Sequence, residues 1–209
     1  MSNPEASARR IGMFGGSFDP PHLAHVALAQ AAVAQLQLDA LHIVPTGQAW
    51  HKDRALSAPE HRLAMAEQAF GDLERVRVDA RELQRPGPSF TIDTLEALQA
   101  ENPGARLYLI IGKDQFAALK TWHRWEDLIQ LAIICIADRA GPTRAEAGFD
   151  PQIQLPHPLV PLQLPLMSVS ATDIRRQIAA GTASLQDLAR LVPEPVARYI
   201  ERHRLYISP

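Results

Sequence analysis

Apolar residues in this chain follow two alternating patterns. Short unbroken runs, Ile11–Phe14, Leu41–Val44, Val76–Val78, Leu107–Ile111 and Ile133–Ala137, have the length and composition of strands buried on both faces, and another lies within Leu159–Leu164. Between them stand stretches with helical spacing. The first covers His22 to Leu38; the second opens at Ser57-Ala-Pro-Glu60, which has the form of a capping box, and carries Leu63, Met65, Ala66 and Phe70. A third starts near Thr91 and stops at Asn102-Pro-Gly104, and a short one covers Trp125 to Leu131. Ala171 to Ala180 ends at Gly181, and Ser184 begins a last pair interrupted by Pro193 and Pro195. Strand and helix in alternation predict an α/β fold with a parallel sheet.

Residues 139–165 break that rhythm. Pro142, Pro151, Pro156, Pro158, Pro161 and Pro165 predict a loop with at most one short strand, because proline cannot donate to a ladder. The final helices read as a small subdomain packed on the sheet, so a single domain over 1–209 is expected, with its helical part from about residue 168.

Composition serves mainly to exclude. With 209 residues, 46% hydrophobic and 21% charged, and a formal charge of −2, the chain has no electrostatic reason to bind nucleic acid or an anionic membrane. The single cysteine, Cys135, lies in the apolar run Leu131–Ala137 and reads as a small core residue in a reducing compartment. No N-terminal stretch has the apolar core of a signal peptide, and no run approaches the ~20 residues of a membrane span. A cytoplasmic protein is expected.

Candidate chemistry concentrates in Gly15-Gly-Ser-Phe-Asp-Pro-Pro-His-Leu-Ala-His25. A glycine pair between strand and helix allows a tight bend and a close approach to a ligand. Asp19 is expected to cap the helix that follows, with Pro20 and Pro21 in its first turn. His22 and His25, three positions apart, share a helix face at roughly 5–6 Å between Cβ atoms. Two imidazoles above a bare-backbone turn at a helix start suit a phosphate. A dinucleotide-binding glycine fingerprint fails on spacing, and a zinc site of the HExxH kind needs histidines four apart with a glutamate between, neither of which is present. A capped helix with two partly buried histidines is the alternative without chemistry.

Ser168-Val-Ser-Ala-Thr-Asp-Ile-Arg175 offers a second anion site. Ser170 is placed to cap, with Asp173 three residues on, and any surface helix can begin this way. Beyond capping, Thr172 adds a hydroxyl to the first turn, and Arg175 shares a face with Ala171 and Thr172. Hydroxyls, free amides and a guanidinium at one helix start suit an anion.

The first segment resembles the signature of the nucleotidylyltransferase superfamily, Gly-Gly/Thr-Ser/Thr-Phe-Asp-Pro-x-His-x-Gly-His, with Ala24 where glycine is commoner. The second resembles that superfamily's other signature, Ile-Ser-Ser/Ala-Thr-x-Ile-Arg, which holds the β- and γ-phosphates of a triphosphate, with Val169 for isoleucine. Over nearly its whole length the chain is similar to the bacterial nicotinate-mononucleotide adenylyltransferase family. The run from Leu41 to Lys52 matches Val-Pro-x-x-x-Pro-Pro-His-Lys, with Ala49 and Trp50 replacing two prolines and His51 and Lys52 retained. Ser89-Phe-Thr-Ile-Asp-Thr-Leu95 matches Ser-Tyr/Phe-Thr-x-Asp-Thr-Leu, and Ile111-Gly-Lys-Asp114 matches Ile-Gly-x-Asp, with Trp122-His123 following. Ala137-Asp-Arg-Ala-Gly141 resembles the family's Arg-Pro-Gly turn, with Ala140 for proline.

The resemblance implies a Rossmann-like doubly wound parallel sheet with a small C-terminal helical subdomain. It implies adenylyl transfer from ATP to nicotinate mononucleotide, giving nicotinate adenine dinucleotide and pyrophosphate in NAD biosynthesis. It assigns His22, His25 and Arg175 to catalysis, and Gly15, Gly16, Ser17, Phe18, Gly112, Asp114, Arg139, Ser170 and Thr172 to ATP. Lys52, Phe90, Thr91, Trp122 and His123 go to the mononucleotide, with amides from Thr91 onward meeting its carboxylate and Trp122 stacking on its pyridine ring. A solvated Lys52, a simple cap at Thr91 and a core role for Trp122 are the alternatives at those positions.

The acceptor phosphate, with a second pKa near ~6, is largely dianionic at neutral pH and needs no general base. The reaction needs alignment and neutralisation of charge moving onto pyrophosphate. Mg²⁺ is expected on the triphosphate and not on a protein metal site, for want of an acidic cluster made for it. ATP and nicotinate mononucleotide are then the partners of a monomer or homo-oligomer, without nucleic acid or membrane. Pantetheine-phosphate adenylyltransferase, which shares both signatures, and a non-catalytic nucleotide-binding regulator are the competing functions.

Overall fold

In a computed structural model that describes residues 8–47, 56–139 and 155–207, each apolar run forms a strand. These are β1 (Arg10–Gly16), β2 (Ala40–Pro45), β3 (Val76–Val78), β4 (Arg106–Gly112), β5 (Ala132–Arg139) and β6 (Val160–Leu164). They form one sheet in the order β3-β2-β1-β4-β5-β6, every neighbouring pair parallel. This is the doubly wound Rossmann order. The helices are α1 (Leu23–Gln35), α2 (Pro59–Phe70), α3 (Arg81–Gln84), α4 (Thr91–Glu101), α5 (Lys113–Ala117), α6 (Trp125–Leu131), α7 (Ala171–Ala179), α8 (Leu185–Leu188) and α9 (Glu194–Arg202).

A parallel sheet needs cover on both faces, and the strand alternation supplies two cores. Ile11, Met13, Leu109, Ile111 and Ile134 meet Ile92, Leu95 and Leu98 of α4 and Leu128 of α6. On the other face Phe14, Leu41, Ile43, Tyr108 and Cys135 meet Leu28 and Ala32 of α1 and Met65 and Phe70 of α2. Burial pushes the Cys135 thiol up to about 12, which fits its packing role. Ile174, Leu188, Val192, Val196 and Ile200 from α7 to α9 lie in this same second core. The Leu23 amide also donates to the Leu191 carbonyl at 3.0 Å, tying the start of α1 to the C-terminal helices. No helix among the described residues is long and apolar enough to cross a membrane.

Several local expectations are corrected. Asp19 does not cap α1: His22 is the N-cap, and Pro20 and Pro21 precede the helix, with a cis Asp19–Pro20 peptide. The Asp19 carboxylate is engaged elsewhere, by Tyr206 and the Ser57 amide. α1 stops at Gln35 and not at Leu38, because Gln37 turns to φ +50 and Leu38 swings into the core. The Ser57–Glu60 box does not form either. α2 is capped at Ala58 without a side-chain bond, while the Ser57 amide and carbonyl go to Asp19 and Arg62. α3, α5 and the 3-10 turn Leu119–Thr121 are too short to show a helical period. β6 carries Pro161 at the sheet edge, where a missing donor costs no ladder bond. His51, Lys52 and the Ala140-Gly141 turn lie outside the described residues.

Candidate active site

The sheet order changes direction between β1 and β4, and ligands of such sheets bind beyond the strand ends at that point. β1 ends there with Gly15 and Gly16, and β4 with Gly112. A Cβ at Gly16 would lie 3.0–3.3 Å from the Phe18 ring, so glycine allows the chain to fold back over that ring. Phe18, at φ +46, is 1% exposed and packs on Phe14, Phe70 and His25 at centroid distances of 5.3–5.5 Å. Of the residues assigned to ATP, its ring is therefore core, and only its backbone can face a ligand.

His22 and His25 stack, with ring centroids 3.6 Å apart and planes at 17°. The His22 amide donates to His25 Nδ1 at 3.2 Å, the reciprocal half of a cap in which His25 takes the part usually played by glutamate. With Nδ1 accepting, a neutral His25 carries its proton on Nε2, where it can be donated to an anion.

Arg175 joins the two sequence motifs. One nitrogen donates to the Asp19 carbonyl at 2.7 Å and another to Thr172 Oγ1 at 3.1 Å. α7 begins as its sequence predicts, with Ser170 Oγ accepting from the Asp173 amide at 3.1 Å.

A pocket beyond β1 is lined by Gly15, Gly16, Ser17, Thr46, Glu82, Ser89, Phe90, Thr91, Gln115, Trp122 and His123, over a floor of Met13, Leu109 and Ile111. It gathers the glycine turn with Phe90, Thr91, Trp122 and His123. Phe90 caps α4 and Thr91 is its first residue, while the His123 and Phe90 rings lie 4.3 Å apart. Trp122 is half-buried: one side packs on the core and the rest lines the pocket. Gly112, Asp114, Ser170 and Thr172 are outside this pocket's walls. Gly112 caps α5, Asp114 is exposed in its first turn, and Arg139 ends β5. They follow the strand ends on the β4 side of the switch point.

Three buried polar residues hold this region together, and two of them, Arg62 and Glu82, were not singled out from the sequence. Arg62, 2% exposed, donates to the carbonyls of Ser17 at 3.2 Å, Thr46 at 2.7 Å and Ser57 at 3.1 Å. It staples the ends of β1 and β2 to the start of α2. Glu82 accepts from Thr94 Oγ1 at 2.8 Å and from the Gly47 amide, and burial raises its pKa above the usual carboxylate range. Asp19 is the third. Among the described residues no group of three His, Cys, Asp or Glu is placed to hold a metal, and Asp19 and Glu82 spend oxygens on protein donors.

A cytidylyltransferase-like family model matches residues 13–177. The chain is 54% identical over 198 residues to a protein of Albidiferax ferrireducens named "Probable nicotinate-nucleotide adenylyltransferase", covering 95% of this chain and 98% of the relative. A protein of the same name from Methylibium petroleiphilum is 42% identical over 201 residues, covering 96% and 94%. The chain belongs to the nicotinate-nucleotide adenylyltransferase family. As such it is a nucleotidyltransferase, of a kind that acts on ATP and generally uses a divalent metal. The fold of this family member matches Plasmodium falciparum nicotinic acid mononucleotide adenylyltransferase in complex with APC, with a TM-score of 0.74 at 18% identity over 95% of this chain and 97% of that one. The same protein complexed with NaAD gives 0.73 at 19% identity, over 95% and 97%.

One signal for the missed residues was present in this family member's sequence. Arg62 stands three and four positions before Met65 and Ala66, on the apolar face of α2, where a charge must have partners. Gly47 had no such signal. Only the fold shows that a Cβ there would run into the Glu82 carbonyl and the Ser89 hydroxyl.

Proposed function

We propose that the pocket beyond β1 takes nicotinate mononucleotide, that the strand ends on the β4 side take ATP complexed with Mg²⁺, and that adenylyl transfer occurs between them. The reading rests on one arrangement. The glycine turn lines the pocket together with Thr91 and Trp122, and the same loop runs on through Asp19, whose carbonyl holds Arg175, to the paired histidines. The name that the relatives carry agrees with it.

In the reaction, a phosphate oxygen of the mononucleotide attacks the α-phosphorus of ATP. The new P–O bond forms as the bond to the bridging oxygen breaks, and pyrophosphate leaves with that oxygen and its electron pair. No side chain has to remove a proton, because the nucleophile is already largely ionised. Gly15 to Ser17 bring backbone close to the phosphates. His25 Nε2–H, with His22, donates to oxygens on which charge develops, and Arg175, with the start of α7, faces the departing pyrophosphate. Asp114 and Arg139 line the nucleoside side of ATP. Thr91 and the α4 amides receive the nicotinate carboxylate, and Trp122 lies against the pyridine ring, with Phe90 and His123 beside it. Lys52 joins at the phosphates. Mg²⁺ arrives on the triphosphate, consistent with buried acids that already have donors. The site of action is the cytoplasm.

Purified protein given MgATP and nicotinate mononucleotide, nicotinamide mononucleotide or phosphopantetheine tests this by pyrophosphate release. The nicotinate form should be best: a carboxylate on backbone amides gains about 1.5–3 kcal/mol that a neutral amide cannot match. Preference for phosphopantetheine would overturn the assignment, and binding without pyrophosphate would point to a regulator.

A further inference from the structure

Asp19 lies in the middle of the phosphate loop, yet the reaction has no use for its carboxylate. It is 1% exposed. One oxygen accepts from the Tyr206 hydroxyl at 2.7 Å and the other from the Ser57 amide at 3.2 Å, while its backbone carbonyl accepts from Arg175 at 2.7 Å. A buried carboxylate that loses a donor must move or recruit another. Where Asp19 stands therefore sets where the loop before His22 stands, and what Arg175 is braced against.

Tyr206 is the most distant of these partners, 187 positions along the chain. Its delivery uses uncommon backbone. After α9 ends at Arg202, Arg204 and Tyr206 take φ values of +49 and +66, in the left-handed region that a Cβ disfavours. Side chains held there are specified by their surroundings. Burial, with the charge of Asp19 beside it, pushes the Tyr206 hydroxyl well above its ordinary pKa, so it remains a donor.

We infer that Tyr206 is a positioning residue for adenylyl transfer, holding Asp19 so that the phosphate loop and Arg175 keep their relative places. The tail beyond α9 then completes a site built otherwise at the strand ends. This role rests on the adenylyltransferase reading above. It acts on the transfer step more than on mononucleotide binding, because Trp122 packs on the other core of the sheet.

The test is Tyr206→Phe, with Tyr199→Phe as its matched control. Tyr199 also gives its hydroxyl a side-chain partner, His61 Nδ1 at 3.0 Å, but at the α2–α9 contact and away from the loop. Both variants should stay folded and lose a few degrees of Tm. With both substrates saturating, Tyr206→Phe should lose about tenfold in kcat, since misplacement of reacting groups by an ångström can cost up to about 10². Its KM for nicotinate mononucleotide should stay within about twofold, and Tyr199→Phe should keep a wild-type kcat. A wild-type kcat in Tyr206→Phe, or equal losses in the two variants that follow the folded fraction, would overturn the role. Wild-type protein that releases no pyrophosphate with nicotinate mononucleotide would overturn the substrate reading itself, and this role with it.

Discussion

His25→Ala separates catalysis from scaffolding at the centre of the site. The variant removes an Nε2–H donor, an acceptor for the His22 amide and a ring stacked 3.6 Å from its neighbour. Loss of one preorganised transition-state donor costs about 10²–10³ in kcat, or about 2.7–4 kcal/mol. The cap bond is worth about 0.5–2 kcal/mol to folding. The ring contacts with His22 and Phe18 add about 0.5–1.5 kcal/mol beyond their buried area. The folding cost is then about 1–4 kcal/mol, against a typical stability of about 5–15 kcal/mol.

These magnitudes keep the two effects apart. A protein left with only about 1.4 kcal/mol of stability is still roughly nine-tenths folded. Unfolding can imitate a hundredfold loss only if stability falls to about −2.7 kcal/mol, which a melt would show at once. The expected result is a cooperative melt at a lower Tm, with kcat for pyrophosphate release down about 10²-fold or more. An intact melt with kcat within about threefold of wild type would refute the donor role. A loss that follows the folded fraction across temperature would assign His25 to the scaffold alone.

Trp122→Ala should raise KM for nicotinate mononucleotide about 5- to 150-fold, the equivalent of about 1–3 kcal/mol of stacking. KM for ATP should hold and Trp122→Phe should recover much of the loss; an unchanged mononucleotide KM with an intact melt would sink the stacking. Gly47→Ala drives a methyl into the Glu82 carbonyl and the Ser89 hydroxyl, so it should lower Tm and raise mononucleotide KM together. A silent Gly47→Ala would show that the loop yields freely. Asp79 is held well below its ordinary 3.8: burial pushes it up, but hydrogen bonds from His42 and Arg81 outweigh that. A depressed folded pKa means stability that is complete above the ordinary value and lost as pH falls below about 4. Urea midpoints from pH 7 to pH 3 should therefore fall more steeply in wild type than in Asp79→Asn, and parallel curves would refute the linkage.

The sheet was legible in the sequence because strands buried on both faces need unbroken apolar runs, and a run such as Leu107 to Ile111 can hardly be anything else. Helix ends were less so. Ser57 and Asp19 both have the chemistry of caps, but Tyr206 engages both side chains, the Ser57 hydroxyl and the Asp19 carboxylate. A capping rule weighs only the residues within one turn, and it fails where a distant donor offers a buried alternative. Ser170 caps as its sequence predicts, its hydroxyl accepting from the Asp173 amide.

The same physics explains which candidate site residues a sequence can propose. Groups that face a ligand occupy short motifs, because a phosphate is met by consecutive amides and by side chains three positions apart on one helix turn. Groups that hold those motifs in place are different. Arg62 reaches Ser17 across 45 positions, and Tyr206 reaches Asp19 across 187. The local pattern marks Arg62 only as a charge on an apolar helix face, and it marks Tyr206 not at all; neither partner can be read from it. Once buried, each must satisfy its polar atoms on whatever groups lie within reach, and here those include the Ser17 carbonyl and the Asp19 carboxylate of the loop that turns into α1. The shape of the loop before α1 is therefore a property of the closed fold and not of the glycine motif alone. The motif alone is permissive: glycines allow the bend without choosing it, and Arg62, Asp19 and Tyr206 together do the choosing.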